Sequence, residues 1–125
     1  MNDRKFSIKA RIRSFRYAFQ GIRTLIIHEH NARIHLLATL CVVTAGFLLD
    51  ISNNEWIAVV FAIGLVFSAE AFNSAIEYLA DLVSPDYNEL IRKSKDVAAG
   101  GVLFTAIAAA IVGLLVFIPR LITLF

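Results

Sequence analysis

The chain has 125 residues, of which 58% are hydrophobic and 18% are charged, and its mean hydropathy is +0.71. That length suits one domain, and the composition is too apolar for an ordinary soluble protein. Residues 1–33 carry a net charge of +6, whereas residues 34–125 carry −4. The single cysteine, Cys41, excludes an intramolecular disulfide framework. The composition therefore favours an integral membrane protein with a basic N-terminal part.

Residues 6–28 have the pattern of an amphipathic helix. Apolar side chains recur there at spacings of mostly three and four, and basic side chains largely occupy the other faces. This periodicity predicts a helix. A basic amphipathic helix beside membrane spans typically lies along the membrane surface, so we expect an N-terminal surface helix.

Three apolar segments follow, at residues 34–50, 56–82 and 97–119, and each predicts a transmembrane helix. The connection before the third segment carries Arg92, Lys93 and Lys95, while the turn before the second has no Lys or Arg. Positive residues favour the cytoplasmic side of a membrane. The sequence therefore predicts an all-α, multi-pass membrane domain, with the N-terminus and the second connection in the cytoplasm.

The second apolar segment contains a glutamate, Glu70, at a depth where charge is unfavourable. An ionisable group inside a membrane span is a functional-site hypothesis by default. At about 100° per residue, Asn73, Glu77 and Asp81 fall on the same stripe of the helix as Glu70. Lipid cannot solvate that stripe, so we expect it to face protein or a water-filled groove.

The chemistry of this stripe suits a metal–polyphosphate site. A carboxylate in a partly apolar site suits a general base, and Glu70 is the deepest of the acids. Glu77 lies nearer the predicted cytoplasmic surface and suits a Mg²⁺ ligand, while Asn73 can donate and accept hydrogen bonds. The same predicted rim also gathers a lysine and further acids: Glu29, Asp81, Asp86, Glu89, Lys95 and Asp96. Phosphoryl transfer needs mainly positioning and charge neutralisation, and the chain has no GxxxxGKS or GxGxxG motif for holding a nucleotide.

Other interpretations of the acidic stripe remain open at this point. Glu70 also fits a small proton-coupled membrane transporter, although polarity confined to one half of the span favours an enzyme. A buried structural acid in an accessory subunit without chemistry is a third possibility. The three histidines, His28, His30 and His35, lack the HExxH spacing and are interpreted as interfacial residues.

Residues 70–103, EAFNSAIEYLADLVSPDYNELIRKSKDVAAGGVL, resemble the signature of the small bacterial integral-membrane lipid kinases, the diacylglycerol and undecaprenol kinases. The resemblance lies in ExxNxxxE, the following Asp and the Lys-Asp pair, and it extends over nearly the whole chain. It implies a surface helix plus three transmembrane helices assembled as a homotrimer in the bacterial inner membrane. It also implies ATP with Mg²⁺ as phosphoryl donor, a membrane lipid alcohol as acceptor, a cytoplasmic active site and no nucleic-acid partner.

The resemblance also implies residue roles. Glu70 matches the general base, Asn73 and Asp81 match polar members of the active site, and Glu29 and Glu77 match the metal ligands. The nucleotide-binding positions, besides these two metal ligands, are Tyr17, Asp86, Tyr87, Asn88, Glu89, Lys95 and Asp96.

Three positions on the lipid side depart from the diacylglycerol kinase branch. Gly113 stands where that branch has a tryptophan near the lipid. Ala10 stands where that branch has an arginine, so Arg11 or Arg13 takes its place, and Ala99 stands where that branch has a serine. The segments EHNARIH and FIPRL are more similar to the undecaprenol kinase branch. The acceptor is therefore expected to be undecaprenol or diacylglycerol.

Overall fold

A computed structural model describes residues 5–125 of the chain. These residues form four helices, α1 (Ile8–His28), α2 (His30–Leu48), α3 (Asn53–Val83) and α4 (Glu89–Leu124). The last three are each long and apolar enough to cross a membrane. The all-α class and the three membrane-length helices are thus confirmed. The position of α1 on a membrane surface and the homotrimer stay predictions.

A single extended residue, Glu29, separates α1 from α2. The last carbonyl groups of a helix have no hydrogen-bond donor within that helix. At the end of α1, the Arg33 guanidinium donates to two of these carbonyls. Its Nε donates to the Ile26 carbonyl at 2.9 Å, and its Nη2 donates to the Ile27 carbonyl. This contact fixes the corner between the two helices, and with it the position of the Glu29 backbone.

The turn between α2 and α3 is tight. Asp50 adopts a left-handed conformation with φ 52°, which Asp tolerates better than most residues. A Cβ added at Gly46 would lie 2.6 Å from Cη2 of Trp56, so the indole ring packs directly on the α2 backbone. Ser52 and Glu55 form a capping box that starts α3, satisfying two otherwise unpaired backbone donors.

Helix α3 is the central element and packs most extensively against α4, with smaller contacts to α1 and α2. Near the turn, Ile51, Val59 and Val116 form a buried apolar cluster. Arg120 of α4 donates to the Asp50 carbonyl at 3.2 Å and to the Glu55 carboxylate. We call this end of the bundle the turn end, and the opposite end, at the α3–α4 connection, the loop end.

Helix α4 is longer than the apolar segment that predicted it. It starts at Glu89 rather than residue 97 and continues past Pro119 to Leu124. Asn88 starts it, because its side-chain oxygen accepts from the Leu90 and Ile91 amides at 2.9 and 3.1 Å. Hydropathy finds the part of a helix that suits a bilayer and misses its polar extension. The membrane limits inside the helices stay predictions.

Candidate active site

Three polar side chains are buried on one face of α3. Glu70, Asn73 and Ser74 are 1%, 7% and 2% exposed, and they are the buried polar or charged side chains of residues 5–125. Spacings of three and four residues place them side by side on the helix. Within the described chain, Glu70 Oε2, Asn73 Oδ1 and Ser74 Oγ have no hydrogen-bond partner. Buried polar atoms are normally paired, so these three unpaired atoms mark this face of α3 as the candidate site.

His35 of α2 lies beside Glu70. Its Nε2 is 3.9 Å from Glu70 Oε2, and its ring meets Phe67 edge to face, with centroids 6.4 Å apart. The interpretation of His35 as an interfacial histidine missed this contact. No spacing rule reveals it, because the two residues belong to different helices.

The two predicted metal ligands approach Glu70 from the loop-end side. Asn73 Nδ2 donates to Glu77 Oε1 at 3.4 Å. The Tyr78 hydroxyl donates to Glu29 Oε1 at 2.6 Å, which holds the α1–α2 corner against α3. Glu77 is thereby linked to Asn73, which is buried on the same face as Glu70, and Tyr78, which follows Glu77, links Glu29 to this part of α3. The structure therefore brings the predicted base and both predicted ligands to one region, and it adds Tyr78, which the sequence interpretation missed.

The donor set suits a magnesium ion that is completed by substrate. No group of three or more His, Cys, Asp or Glu side chains within residues 5–125 is arranged to hold a metal alone. Magnesium in phosphoryl-transfer sites commonly takes one or two carboxylates, with waters and substrate phosphates as the other ligands. Glu29 and Glu77 supply hard oxygen donors of that kind, so the residues present fit the expected ion.

A second polar region lies at the loop end. A groove of about 250 Å³, the loop groove, is lined by Asp81, Ser84, Pro85, Asp86, Tyr87, Asn88, Ile91, Arg92 and Lys95. Lys95 Nζ donates to Asp81 Oδ1 at 2.5 Å, which joins α4 to α3. Five residues expected at the active site or the nucleotide therefore share one groove: Asp81, Asp86, Tyr87, Asn88 and Lys95.

The remaining two acids of this region bind an arginine. Arg92 donates to the Glu89 carboxylate and, through Nη1, to Asp96 Oδ2 at 2.7 Å. The sequence interpretation used Arg92 only as a topology marker. Its spacings of three to Glu89 and four to Asp96 place all three on one helix face, and that signal was present in the sequence.

Three predicted residues lie apart from these regions. Arg13 and Tyr17 are on α1 and Ala99 is on α4, and their side chains are exposed. None of the three lines the loop groove. Their assignment to nucleotide and lipid stays a prediction.

Two apolar cavities flank Glu70 along α3. A groove of about 340 Å³ between α1 and α3 is lined by Ala18, Gly21, Ile22, Thr24, Leu25, Ala71, Ser74, Ala75 and Tyr78. A smaller cleft of about 110 Å³ between α2, α3 and α4 is lined by His35, Ala38, Thr39, Val42, Val59, Ala62, Ile63, Val66, Ala109, Val112 and Gly113. Ser74 and Val66 lie one helical turn to either side of Glu70, so each cavity reaches the neighbouring turn of α3, while Glu70 itself lines neither.

Comparison with known proteins agrees with this arrangement. The model of the prokaryotic diacylglycerol kinase family matches residues 16–117. The undecaprenol kinase of Bacillus subtilis is 36% identical over 119 residues, which is 95% of this chain and 97% of that protein. The diacylglycerol kinase of Synechocystis is 39% identical over 112 residues, 89% of this chain and 64% of that longer protein.

A third relative, the diacylglycerol kinase of Escherichia coli K12, is 31% identical over 100 residues, covering 80% of this chain and 82% of its own length. The family match covers the second part of α1, both polar regions and α4 as far as residue 117. The chain therefore belongs to the prokaryotic diacylglycerol kinase family, a family of ATP-dependent membrane lipid kinases.

Proposed function

We propose that this protein transfers the γ-phosphate of MgATP to the hydroxyl of a membrane lipid alcohol, undecaprenol or diacylglycerol, with Glu70 as general base. The observation that carries the proposal is the Glu70 carboxylate. It is buried in a membrane-length helix, its Oε2 lacks a hydrogen-bond partner within the described chain, and the buried Asn73 on the same face is bonded to Glu77. A purely structural acid at this depth is expected to be hydrogen-bonded to a neighbouring helix.

The reaction follows from where Glu70 lies. Its carboxylate accepts the proton of the lipid hydroxyl while that oxygen forms a bond to the γ-phosphorus. The bond from phosphorus to the β–γ bridging oxygen breaks, and ADP leaves with the electron pair. A positioned base of this kind contributes about 10²–10⁴-fold to the rate. Burial excludes water, which favours transfer to lipid over hydrolysis.

We assign the phosphates to a magnesium ion held by two carboxylates and to the ammonium group of Lys95. Glu29 and Glu77 would hold Mg²⁺, which when bound neutralises phosphate charge in phosphoryl transfer. Asn73 keeps Glu77 in place through its 3.4 Å hydrogen bond. Lys95 offers a positive charge in the loop groove, where Asp81 orients its ammonium group.

The rest of the loop groove provides the surface for the nucleotide. Tyr87 offers an exposed ring, and Asp86 lies next to it. The side-chain oxygen Oδ1 of Asn88 accepts the capping hydrogen bonds of α4. The NH₂ group of the same side chain is then left to donate to a nucleotide. Glu77 and Asp81 share the stripe of Glu70, so a triphosphate that extends along α3 from this groove approaches the base.

The loop end is proposed to face the cytoplasm. Arg92, Lys93 and Lys95 lie at this end, and the basic helix α1 joins α2 at Glu29 on the same side. Positive residues are retained on the cytoplasmic side of the bacterial inner membrane, where ATP is available. α1 is proposed to lie along that surface.

A homotrimer is the proposed assembly. The family resemblance implies it, and the long apolar faces of α2, α3 and α4 expose many large side chains that lipid or other subunits must cover. Light scattering on protein purified in detergent, corrected for bound detergent, gives the subunit number directly. A mass that corresponds to one or two chains would contradict the trimer, but it would not contradict the proposed phosphoryl transfer.

The function is tested with ATP labelled at its γ-phosphate, magnesium, and a mixture of undecaprenol and dioleoylglycerol in detergent micelles. Label in the lipid extract is the expected result. The alternative, a proton-coupled transporter, receives no support from the relatives, because these three are named as kinases. Solute uptake driven by a pH gradient without ATP, together with unlabelled lipid, would favour the transporter.

A further inference from the structure

A tyrosine of α3 binds the single residue that joins α1 to α2. The Tyr78 hydroxyl donates to Glu29 Oε1 at 2.6 Å, across 49 positions of the chain. That distance is typical of a charge-assisted hydrogen bond from an O–H group to a carboxylate, about 2.5–2.7 Å. One oxygen of the Glu29 carboxylate is therefore fixed by a side chain of α3.

This hydrogen bond is not what holds the backbone of the corner between α1 and α2. The Arg33 guanidinium donates to two carbonyls near the end of α1. The Glu29 amide donates to the Leu25 carbonyl at 3.0 Å. These contacts lie within the corner itself and do not involve α3. What the Tyr78 hydroxyl adds is therefore the orientation of the Glu29 side chain relative to α3.

The hydrogen bond also leaves the other oxygen of Glu29 available to a metal ion. A carboxylate has two oxygens with about four acceptor positions, and Tyr78 uses one of these positions on Oε1. Magnesium in phosphoryl-transfer sites is bound by one or two carboxylates. A carboxylate that binds a metal is itself commonly held by a hydrogen bond from a second residue, and the Tyr78 hydroxyl is a donor of this kind.

One short stretch of α3 orients both expected metal ligands. Asn73 Nδ2 donates to Glu77 Oε1 at 3.4 Å. Tyr78, the residue after Glu77, donates to Glu29. Successive residues of an α-helix lie about 100° apart around its axis, so Glu77 stays on the stripe of Glu70 while Tyr78 reaches the α1–α2 corner. Helix α3 thus supplies one ligand and the group that orients the other.

We propose that Tyr78 is a positioning residue for the magnesium site: its hydroxyl fixes Glu29 Oε1 and thereby orients Oε2 to share an ion with Glu77. This rests on the proposed function, in which Glu29 and Glu77 are the metal ligands. Loss of an outer hydrogen bond to a metal ligand commonly lowers metal affinity about 10–100-fold. Tyr78 therefore acts on metal binding and not on proton transfer to Glu70.

The test removes single hydroxyl groups from the full chain. Tyr78→Phe deletes the donor and keeps the aromatic ring, which lines the groove between α1 and α3. Thr105→Val is the matched control, because the Thr105 hydroxyl donates within α4 to the Val102 carbonyl at 2.8 Å. The probe is Mn²⁺, which takes the same kinds of oxygen ligand as Mg²⁺. Electron paramagnetic resonance measures its dissociation constant in the presence of a non-hydrolysable ATP analogue.

We expect Tyr78→Phe to raise the Mn²⁺ dissociation constant about tenfold or more, while its thermal unfolding midpoint in detergent stays close to that of the wild type. Thr105→Val should change the dissociation constant less than about twofold. In a Glu29→Ala background, Tyr78→Phe should cause no further loss, because the group through which it acts is gone. Should Tyr78→Phe fail to fold, Tyr78→Met deletes the same donor and carries the same expectation.

Turnover supplies a second measurement on the same variants. The magnesium concentration for half-maximal phosphoryl transfer should rise in Tyr78→Phe by the same factor as the Mn²⁺ dissociation constant. Saturating magnesium should then return kcat to within about threefold of wild type, because a positioning residue for the metal has no part in the chemical step.

A folded Tyr78→Phe protein that binds Mn²⁺ as tightly as the wild type overturns the inference, even if its unfolding midpoint falls, because the hydrogen bond then only ties the corner to α3. A further loss of Mn²⁺ affinity in the Glu29→Ala background overturns it as well. If the wild type binds Mn²⁺ in a Tyr78-dependent way yet labels neither lipid alcohol, the positioning role stands and the proposed kinase function is refuted instead. The two failures are therefore distinguishable.

Discussion

The two halves of α3 treat their polar groups differently. At the turn end Ser52 and Glu55 cap the helix reciprocally, and Arg120 binds both the Glu55 carboxylate and the Asp50 carbonyl. Toward the loop end the buried atoms Glu70 Oε2 and Asn73 Oδ1 have no partner within residues 5–125. The two halves of one helix thus serve different purposes, with Glu55 and Glu70 about four turns apart. The turn end holds the bundle together, while the half around Glu70 keeps buried polar atoms that have no partner within the described residues.

This difference has an energetic meaning. An unpaired buried polar group costs about 1–3 kcal/mol, so three such atoms on one face are a substantial expense for a small domain. The packing of α3 against α4 and the paired groups of the turn end offset that cost. Substitutions at the turn end are therefore expected to change stability, and substitutions around Glu70 are expected to change catalysis.

Glu77→Gln is expected to lower the rate of phosphoryl transfer about 100-fold, because a neutral amide is a weaker magnesium ligand. The magnesium concentration needed for half-maximal rate should rise, and excess magnesium should restore part of the activity. Steady-state rates across a magnesium titration measure both effects.

Asp50→Asn is the matched control at the turn end, since Asn also tolerates the left-handed conformation of this residue. Its magnesium dependence should equal that of the wild type. If the magnesium dependence of Glu77→Gln equals that of the wild type, Glu77 is not a magnesium ligand.

Lys95→Met is expected to raise the KM for ATP about tenfold, equivalent to ~1.4 kcal/mol, because the loop groove loses the ammonium group beside Asp81. The KM for the lipid alcohol should change little. Lys93→Met removes an exposed lysine that does not line the groove, and its KM for ATP should stay within twofold. Equal increases in the KM for ATP in the two variants would show that Lys95 acts only through the net charge of the protein, which would contradict its assignment to the phosphates.

Gly46→Ala is expected to have the smallest effect on catalysis and a clear effect on stability. The added methyl would lie 2.6 Å from Cη2 of Trp56, and overpacking of this kind costs about 1–3 kcal/mol. Unfolding in mixed detergent micelles measures the loss. Gly64→Ala adds the same group into open space and shares the helix-propensity gain of about 1 kcal/mol. Gly46→Ala should therefore have a lower free energy of unfolding than Gly64→Ala, and the folded fraction of both variants should turn over normally.

The architecture was accessible from the sequence because long apolar runs and the 3.6-residue period are local properties. The stripe of Glu70, Asn73 and Glu77 follows from helix geometry alone, and the structure places Glu70 and Asn73 on one buried face with Glu77 bonded to Asn73. The start of α4 at Glu89 was missed, because hydropathy does not register a polar helical turn capped by Asn88.

The contacts between helices were not accessible. His35 meets Glu70 across α2 and α3, and Tyr78 reaches Glu29 across 49 positions of the chain. Both contacts depend on the single extended residue between α1 and α2 and on the angles at which α1 and α2 pack against α3. No spacing in the sequence encodes that geometry, so the residues surrounding the candidate base became apparent only in three dimensions.

The most direct test of the account compares phosphoryl transfer by Glu70→Gln and Glu55→Gln, the same substitution in the two halves of α3. Glu70→Gln should lower kcat about 10³-fold while nucleotide and lipid binding stay within threefold of wild type. Glu55→Gln should weaken the contact with Arg120 and lower stability, yet keep the wild-type kcat. Wild-type turnover in a folded Glu70→Gln protein would contradict the central claim.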